Sequence, residues 1–417
     1  MLEVEVTAMT FGPYALARAP DGRTVMVANA APGDRLEVSV VAHRRDYDLA
    51  RIERVLTPGA ERREPPCRFL PRCGGCDWQQ LGYAAQLRAK GEMVASALGH
   101  ALAIEICAHG LVEPSPREFA YRSRIRLKAD AEGRLGFFEL GSNRMVPIDR
   151  CIVAREELVL PHEVARAIGR ALGEMELVSA GPREVAVIHP RRELKPAELE
   201  RIRALMDRTP ALQGIIVRET GRRHLIGDPE IRLEVEPGFE LHADADAFSQ
   251  VNQEQNRKLV AAAMEMAGVR EGAEILDLFC GSGNLSLPAA RRGARVTGID
   301  SDALAIAAAQ RNGARHALTN AKFMAMEAAE GLRFLSRAGY RPETVILDPP
   351  RAGALELMEP LARLAPARVV YVSCDIATMA RDLRALISRR YRVRDVRAFD
   401  FFPNTHHVET VAGALLT

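Results

Sequence analysis

The chain has 417 residues, enough for about three domains at roughly 150 residues each. Hydrophobic residues make up 47% and charged residues 27%, which excludes a largely disordered polymer. The net charge of +2 marks no polyanion-binding surface by itself, so any basic patch has to be local.

The opening MLEVEVTAMTFGP carries acidic residues where a signal peptide carries basic ones. No apolar run approaches the ~18 residues of a membrane span, so a cytoplasmic, monomeric protein with no membrane partner is expected. Residues 1–58 alternate apolar and polar positions in short runs broken by Pro, Gly and Asp, the pattern of a small β-barrel. The run ERREPPC then interrupts regular structure and places a boundary near Gly59.

Seven cysteines in such a chain fit reduced thiols, metal ligands or a catalytic thiol better than a disulfide framework. Cys67, Cys73 and Cys76 are tightly spaced, and Gly74 and Gly75 let three sulfurs converge. Three thiolates call for a metal with a fourth ligand from Cys107 or Cys151, and both zinc and an iron–sulfur group suit four thiolates. Residues 59–247 otherwise read as mixed α+β, with a helix across QLGYAAQLRAKGEMVASAL and turns at Gly133 and Gly141. Within it, YRSRIRLK sets Arg122, Arg124, Arg126 and Lys128 on one strand face by the two-residue period. A wholly cationic face is costly unless a polyanion covers it, so these four are candidate RNA phosphate contacts.

Residues 248–417 change to strands followed by helices, the α/β pattern of a Rossmann-like, mostly parallel sheet. In ILDLFCGSGN a strand leads into Gly281 and Gly283, whose lack of a side chain lets the backbone approach a ligand. Ser286 stands where a dinucleotide fingerprint has its third glycine, so a nucleoside without phosphates fits better than NAD. Asp300 ends the next strand, where a carboxylate can accept both ribose hydroxyls of an adenosyl group. Asp348 opens the Asp-Pro-Pro-Arg loop of the strand TVILDPPR at the same crevice.

RVVYVSC delivers Cys374 to the neighbouring strand end. A thiolate there can add to carbon 6 of a uracil and make carbon 5 nucleophilic. Glu409, in HHVET, is the candidate base that then removes the carbon 5 proton, with His406 and His407 as rivals and Cys280 as the alternative nucleophile. Asp375 sets a negative charge next to the thiol, which disfavours thiolate unless Arg351 or another cation offsets it.

DLFCGSGN, LDPPR, VVYVSC and FPNTHHVE, in this order, resemble the motif series of the uracil-5 RNA methyltransferases, and the resemblance extends to AFSQVNQ ahead of them. The resemblance implies S-adenosylmethionine as methyl donor, contacted by Gln250, Phe279, Asp300 and Asp348, with Cys374 as nucleophile and Glu409 as base. It also implies a [4Fe–4S] cluster completed by Cys151, and an N-terminal TRAM domain, an OB-like RNA-binding barrel. Barrel and cluster together are more similar to the branch acting on 23S rRNA than to the transfer-RNA branch. A transfer-RNA enzyme and an inactive RNA-binding homologue are the other readings.

Overall fold

The computed structural model describes residues 1–417. Leu2–Met9 (β1), Tyr14–Arg18 (β2), Thr24–Ala28 (β3), Arg35–His43 (β4) and Asp48–Thr57 (β5) close into a barrel of order β1-β2-β3-β5-β4. Val4, Val6, Val25, Val27, Leu36 and Val38 fill it, each on the inward phase of its strand's alternation. A closed barrel has no free edge. Four of the five strands are legible as alternating runs, whereas β2 lies in TFGPYALAR and is only five residues long.

The central sheet has the order β13-β12-β11-β10-β7-β8-β9. Its strands are Arg124–Ala129 (β7), Leu135–Phe138 (β8), Met145–Pro147 (β9), Leu172–Ser179 (β10), Glu184–Pro190 (β11), Leu212–Glu219 (β12) and Arg222–Gly227 (β13). Gly133 and Gly141 turn the β7–β8 and β8–β9 connections at φ +76° and +69°, as their spacing predicts. Helices His162–Ile168 (α2) and Pro196–Met206 (α3) cover one face.

The C-terminal sheet runs β18-β17-β16-β19-β20-β22-β21-β6. Glu274–Leu278 (β16), Arg295–Asp300 (β17), Ala321–Ala325 (β18), Thr344–Leu347 (β19) and Arg368–Ser373 (β20) are parallel, and Tyr391–Phe399 (β21) and Glu409–Leu416 (β22) join antiparallel. Helices Gln253–Ala267 (α4), Ser286–Arg291 (α5), Ala303–Arg315 (α6), Ala328–Arg337 (α7), Leu355–Leu364 (α8) and Ile376–Ile387 (α9) pack on its two faces.

Residues 59–247 do not pack as one unit. Tyr83–Leu102 (α1) lays Val94, Leu98 and Leu102 into the same core as Leu276, Val345 and Leu383 of the C-terminal sheet and helices. Val112–Glu113 (β6) pairs in parallel with β21 and becomes the outer strand of that sheet. The hairpin Glu230–Glu236 (β14) and Phe239–Asp244 (β15) packs Val235, Phe239 and Leu241 against Leu287 of α5. Sequence separates these segments from the sheet, and apolar burial joins them. No helix is long and apolar enough to cross a membrane.

Candidate active site

The parallel strands end at one edge, and a cleft of about 540 Å³ opens there. β16 leads into it through Phe279, at φ +63°, and Gly281 and Gly283, at φ +53° and +97°. A Cβ added to Gly281 would meet no protein atom within 4 Å, so this stretch of backbone faces open space in which a ligand can lie. The turn is held from the next strand. Asp300 Oδ2 accepts the Gly281 N–H at 2.9 Å, and Oδ1 accepts the Asp302 N–H at 2.9 Å. Each oxygen keeps a spare lone pair and Asp300 lines the cleft, the accepting capacity a ribose diol needs.

Ser286, in the third-glycine position, has a structural task. Its hydroxyl donates to buried Asp277 Oδ2 at 2.5 Å. Burial, reinforced by the charges of Asp348 and Asp300, pushes the Asp277 carboxyl up to about 7 against the pull of Ser286. Asp277 therefore lies beneath the turn and does not line the cleft.

Gln250, Phe279, Gly281, Asp300 and Asp348 all line the cleft, and so do Cys374 and Glu409. Phe248, 77% exposed, stands at its mouth. Gly283 is not on the lining. A Cβ there would lie 2.7 Å from Leu287, so its glycine serves the close approach of α5.

Cys374 follows Ser373, the last residue of β20, and precedes Asp375, the N-cap of α9. Burial pushes its thiol up to about 11, Glu409 and Asp348 add to the shift, and the Arg351 charge opposes it. The expected antagonist is not the observed one. Asp375 is turned to α9, where its carboxylate caps the Thr378 N–H at 2.9 Å, and the carboxylates acting on the thiol are Glu409 and Asp348. Arg351 is the compensating cation.

Glu409 is the first residue of β22 and is buried. Burial, then the Asp348 charge, pushes its carboxyl well above the usual range, with Arg351 opposing. That makes its carboxylate a strong base once ionised. The rival histidines are weaker candidates. His406 is bound through Nδ1 to Asp77, and burial with nearby positive charge drives His407 down to about 3. Both rings lie before β22 and rest on each other, their centroids 4.0 Å apart. Cys280 is buried beside the turn, its thiol pushed up by burial and by Asp277 and Asp300.

A second cavity, of about 40 Å³, is lined by Cys67, Cys73, Cys76 and Cys151. Cys107 is exposed and outside it, so of the two expected fourth thiols Cys151 is the one that shares the cavity. Burial pushes Cys73 up to about 11 and Cys76 to about 12, so the thiols stay neutral without a strong positive centre among them. Gly74 is required by close approach. A Cβ there would fall 2.8 Å from Leu140 N. No three His, Cys, Asp or Glu side chains are arranged to hold a single metal ion.

The cationic strand face needs correction. Arg124, Arg126 and Lys128 do share one face of β7, but Glu174 and Glu176 of β10 lie across from them. Arg124 binds Glu176 at 2.9 Å and the Ala245 and Ala247 carbonyls, while Arg126 and Lys128 both bind Glu174. Arg122 is off the strand, against the cysteine cavity with its guanidinium 5.7 Å from the Phe402 ring. Each of the three cations on this face is thus paired with a carboxylate, and the face is not bare positive charge.

The comparisons with known proteins agree with this geometry. A family model described as tRNA (Uracil-5-)-methyltransferase matches residues 196–417. The 23S rRNA (uracil(1939)-C(5))-methyltransferase RlmD of Pectobacterium atrosepticum is 33% identical over 425 residues, 98% of this chain and 92% of that protein. The chain belongs to the RNA uracil-5 methyltransferase family. The RlmD of Pseudomonas putida is 34% identical over 94% of this chain and 89% of its own. A solved structure, the Pyrococcus abyssi tRNA (uracil-54, C5)-methyltransferase in complex with S-adenosyl-L-homocysteine, is 26% identical with a TM-score of 0.75 and covers 99% of this chain and 100% of that one. This uracil-5 methyltransferase is therefore an S-adenosylmethionine-dependent enzyme. The same structure corrects one inference from architecture. A transfer-RNA enzyme matches the entire chain, barrel and cysteine region included, so those parts do not separate the rRNA branch from the tRNA branch.

Proposed function

We propose that this enzyme methylates carbon 5 of one uridine in 23S rRNA through a covalent bond between Cys374 and the base. The full-length identity of 33–34% to proteins named as 23S rRNA methyltransferases, against 26% for the tRNA enzyme, carries the choice of substrate. The target uridine has to leave any stack, because carbon 6 must reach a thiol recessed in a cleft.

The convergence of Cys374, Glu409 and Arg351 supports the mechanism. Arg351 stabilises the thiolate, which adds to carbon 6 while the ring electrons move to the carbon 4 oxygen. Bound S-adenosylmethionine supplies an electrophilic methyl group, and Asp300, Gln250, Phe279 and Asp348 would hold it. Glu409 then takes the proton from methylated carbon 5. The electron pair of that C–H bond restores the ring double bond and expels Cys374 as thiolate. The four thiols around one cavity, and not around a point, fit a [4Fe–4S] group held by Cys67, Cys73, Cys76 and Cys151. The five-stranded barrel fits a TRAM-type RNA contact.

Nucleoside analysis of separated RNA pools from a deletion strain tests the substrate. Loss of 5-methyluridine from 23S rRNA with tRNA unchanged is expected; loss from tRNA alone assigns the other substrate, and no loss in either pool overturns the proposal. RNA carrying 5-fluorouridine tests the mechanism, since fluorine cannot leave as a proton. It is expected to trap an adduct that Cys374→Ala abolishes.

A further inference from the structure

Phe402–His407 has no regular structure, yet its polar groups are held by residues between positions 63 and 122. Asn404, at φ +67°, is the centre of the clamp. Its carbonyl accepts the N–H groups of Asp77 and Trp78 at 3.1 and 3.0 Å, and its own N–H donates to Gln86 Oε1 at 2.7 Å. Its side-chain oxygen accepts from Arg63 at 2.9 Å, and its amide nitrogen donates to the Glu118 carbonyl at 3.0 Å. Lys90 and the Tyr121 hydroxyl donate to the Phe402 and Pro403 carbonyls, both at 3.1 Å.

Asp77 reaches further along the loop than any of these. Its Oδ1 accepts the His406 N–H at 3.0 Å, and its Oδ2 binds the His406 ring at Nδ1. The His406 ring rests on His407, which lines the cleft, and Glu409 follows two residues later. The placement of Cys374 rests on none of these contacts. It is delivered by β20 and fixed by the Ser373 and Asp375 hydrogen bonds at the start of α9.

We propose that Asp77 is a positioning residue for the carbon 5 deprotonation step: by fixing both backbone and ring of His406 it sets the loop that carries His407 and Glu409, leaving attack by Cys374 untouched. Asp77 directly follows Cys76, so the cysteine cavity and the base share one short segment. The inference rests on the covalent mechanism above. It predicts a separation of steps that general destabilisation would not produce.

The test uses the purified full chain. Wild-type enzyme must first trap 5-fluorouridine RNA on Cys374; if it does not, the covalent reading itself fails. With ordinary substrate RNA, Asp77→Ala and His406→Ala are expected to keep the first methyl transfer within about threefold of wild type while steady-state turnover falls on the order of 10²-fold, the scale of a misplaced general base. Methylated RNA should accumulate covalently bound, as in Glu409→Gln. Asp77→Asn, which retains acceptors toward the His406 backbone and ring, should restore turnover to within about tenfold of wild type. Iron and acid-labile sulfide are measured in each variant, and His406→Ala, two contacts removed from the thiols, carries the test should Asp77→Ala lose them. Unchanged turnover, or a parallel fall of adduct formation and turnover in His406→Ala, overturns the proposal.

Discussion

Around Cys374 one guanidinium answers several acids. Burial, Glu409 and Asp348 all keep the proton on sulfur, and the thiol is pushed up to about 11 even with the Arg351 charge opposing them. Alkylation of Cys374 by iodoacetamide in the free protein should therefore rise about tenfold per pH unit across the neutral range, because only the thiolate reacts. Arg351→Ala removes the opposing charge, so labelling at any fixed pH should drop, by about tenfold for each unit the thiol moves up. Peptide mass analysis of the Cys374 fragment reads both. The candidate nucleophile was legible in the sequence because a strand-end cysteine and its motif are local. Its electrostatics were not: whether Asp375 faces the sulfur or caps α9 depends on a side-chain direction, and Glu409 comes from a strand 35 positions on, as the numbering gives.

Strand β7 teaches the same lesson over a longer range. Its alternation is plain from the sequence, but register sets Glu176 opposite Arg126 and Glu174 opposite Lys128, residues about fifty positions apart that no local pattern joins. A phosphate contact contributes a slope of about 0.9 to the logarithmic salt dependence of RNA binding. Arg126→Ala is expected to change that slope by less than half as much, measured by titrating RNA affinity against salt. Glu184, at the start of β11, is fully buried with neither carboxylate oxygen hydrogen-bonded, and burial followed by the Glu157 charge pushes it up to about 9. A carboxyl raised on folding costs nothing below its unfolded value and destabilises increasingly as pH rises toward the folded one. At pH 7 that cost is about 3 kcal/mol. Glu184→Gln should flatten the pH dependence of denaturant unfolding between about pH 5 and 9 and add about 2 kcal/mol at pH 7, the remainder lost to an unpaired amide.

Across the whole molecule, the catalytic sheet is finished by residues that precede it by hundreds of positions. Lys90 of α1 and Asp400 after β21 form a fully buried ion pair at 2.6 Å, with Lys90 also 5.8 Å from the Trp78 ring. Lys90→Met strands the Asp400 charge and is expected to cost about 3–5 kcal/mol, most of it recovered when Asp400→Leu is added, as equilibrium unfolding of the two variants would report. The pair's partners are 310 residues apart. During synthesis α1 leaves the ribosome long before the strands it must cover, so Val94, Leu98 and Leu102 stay wet until nearly the last residues are made. The nascent enzyme thus carries a sticky helix for most of its birth, an exposure that favours chaperone engagement and makes late truncations prone to aggregate.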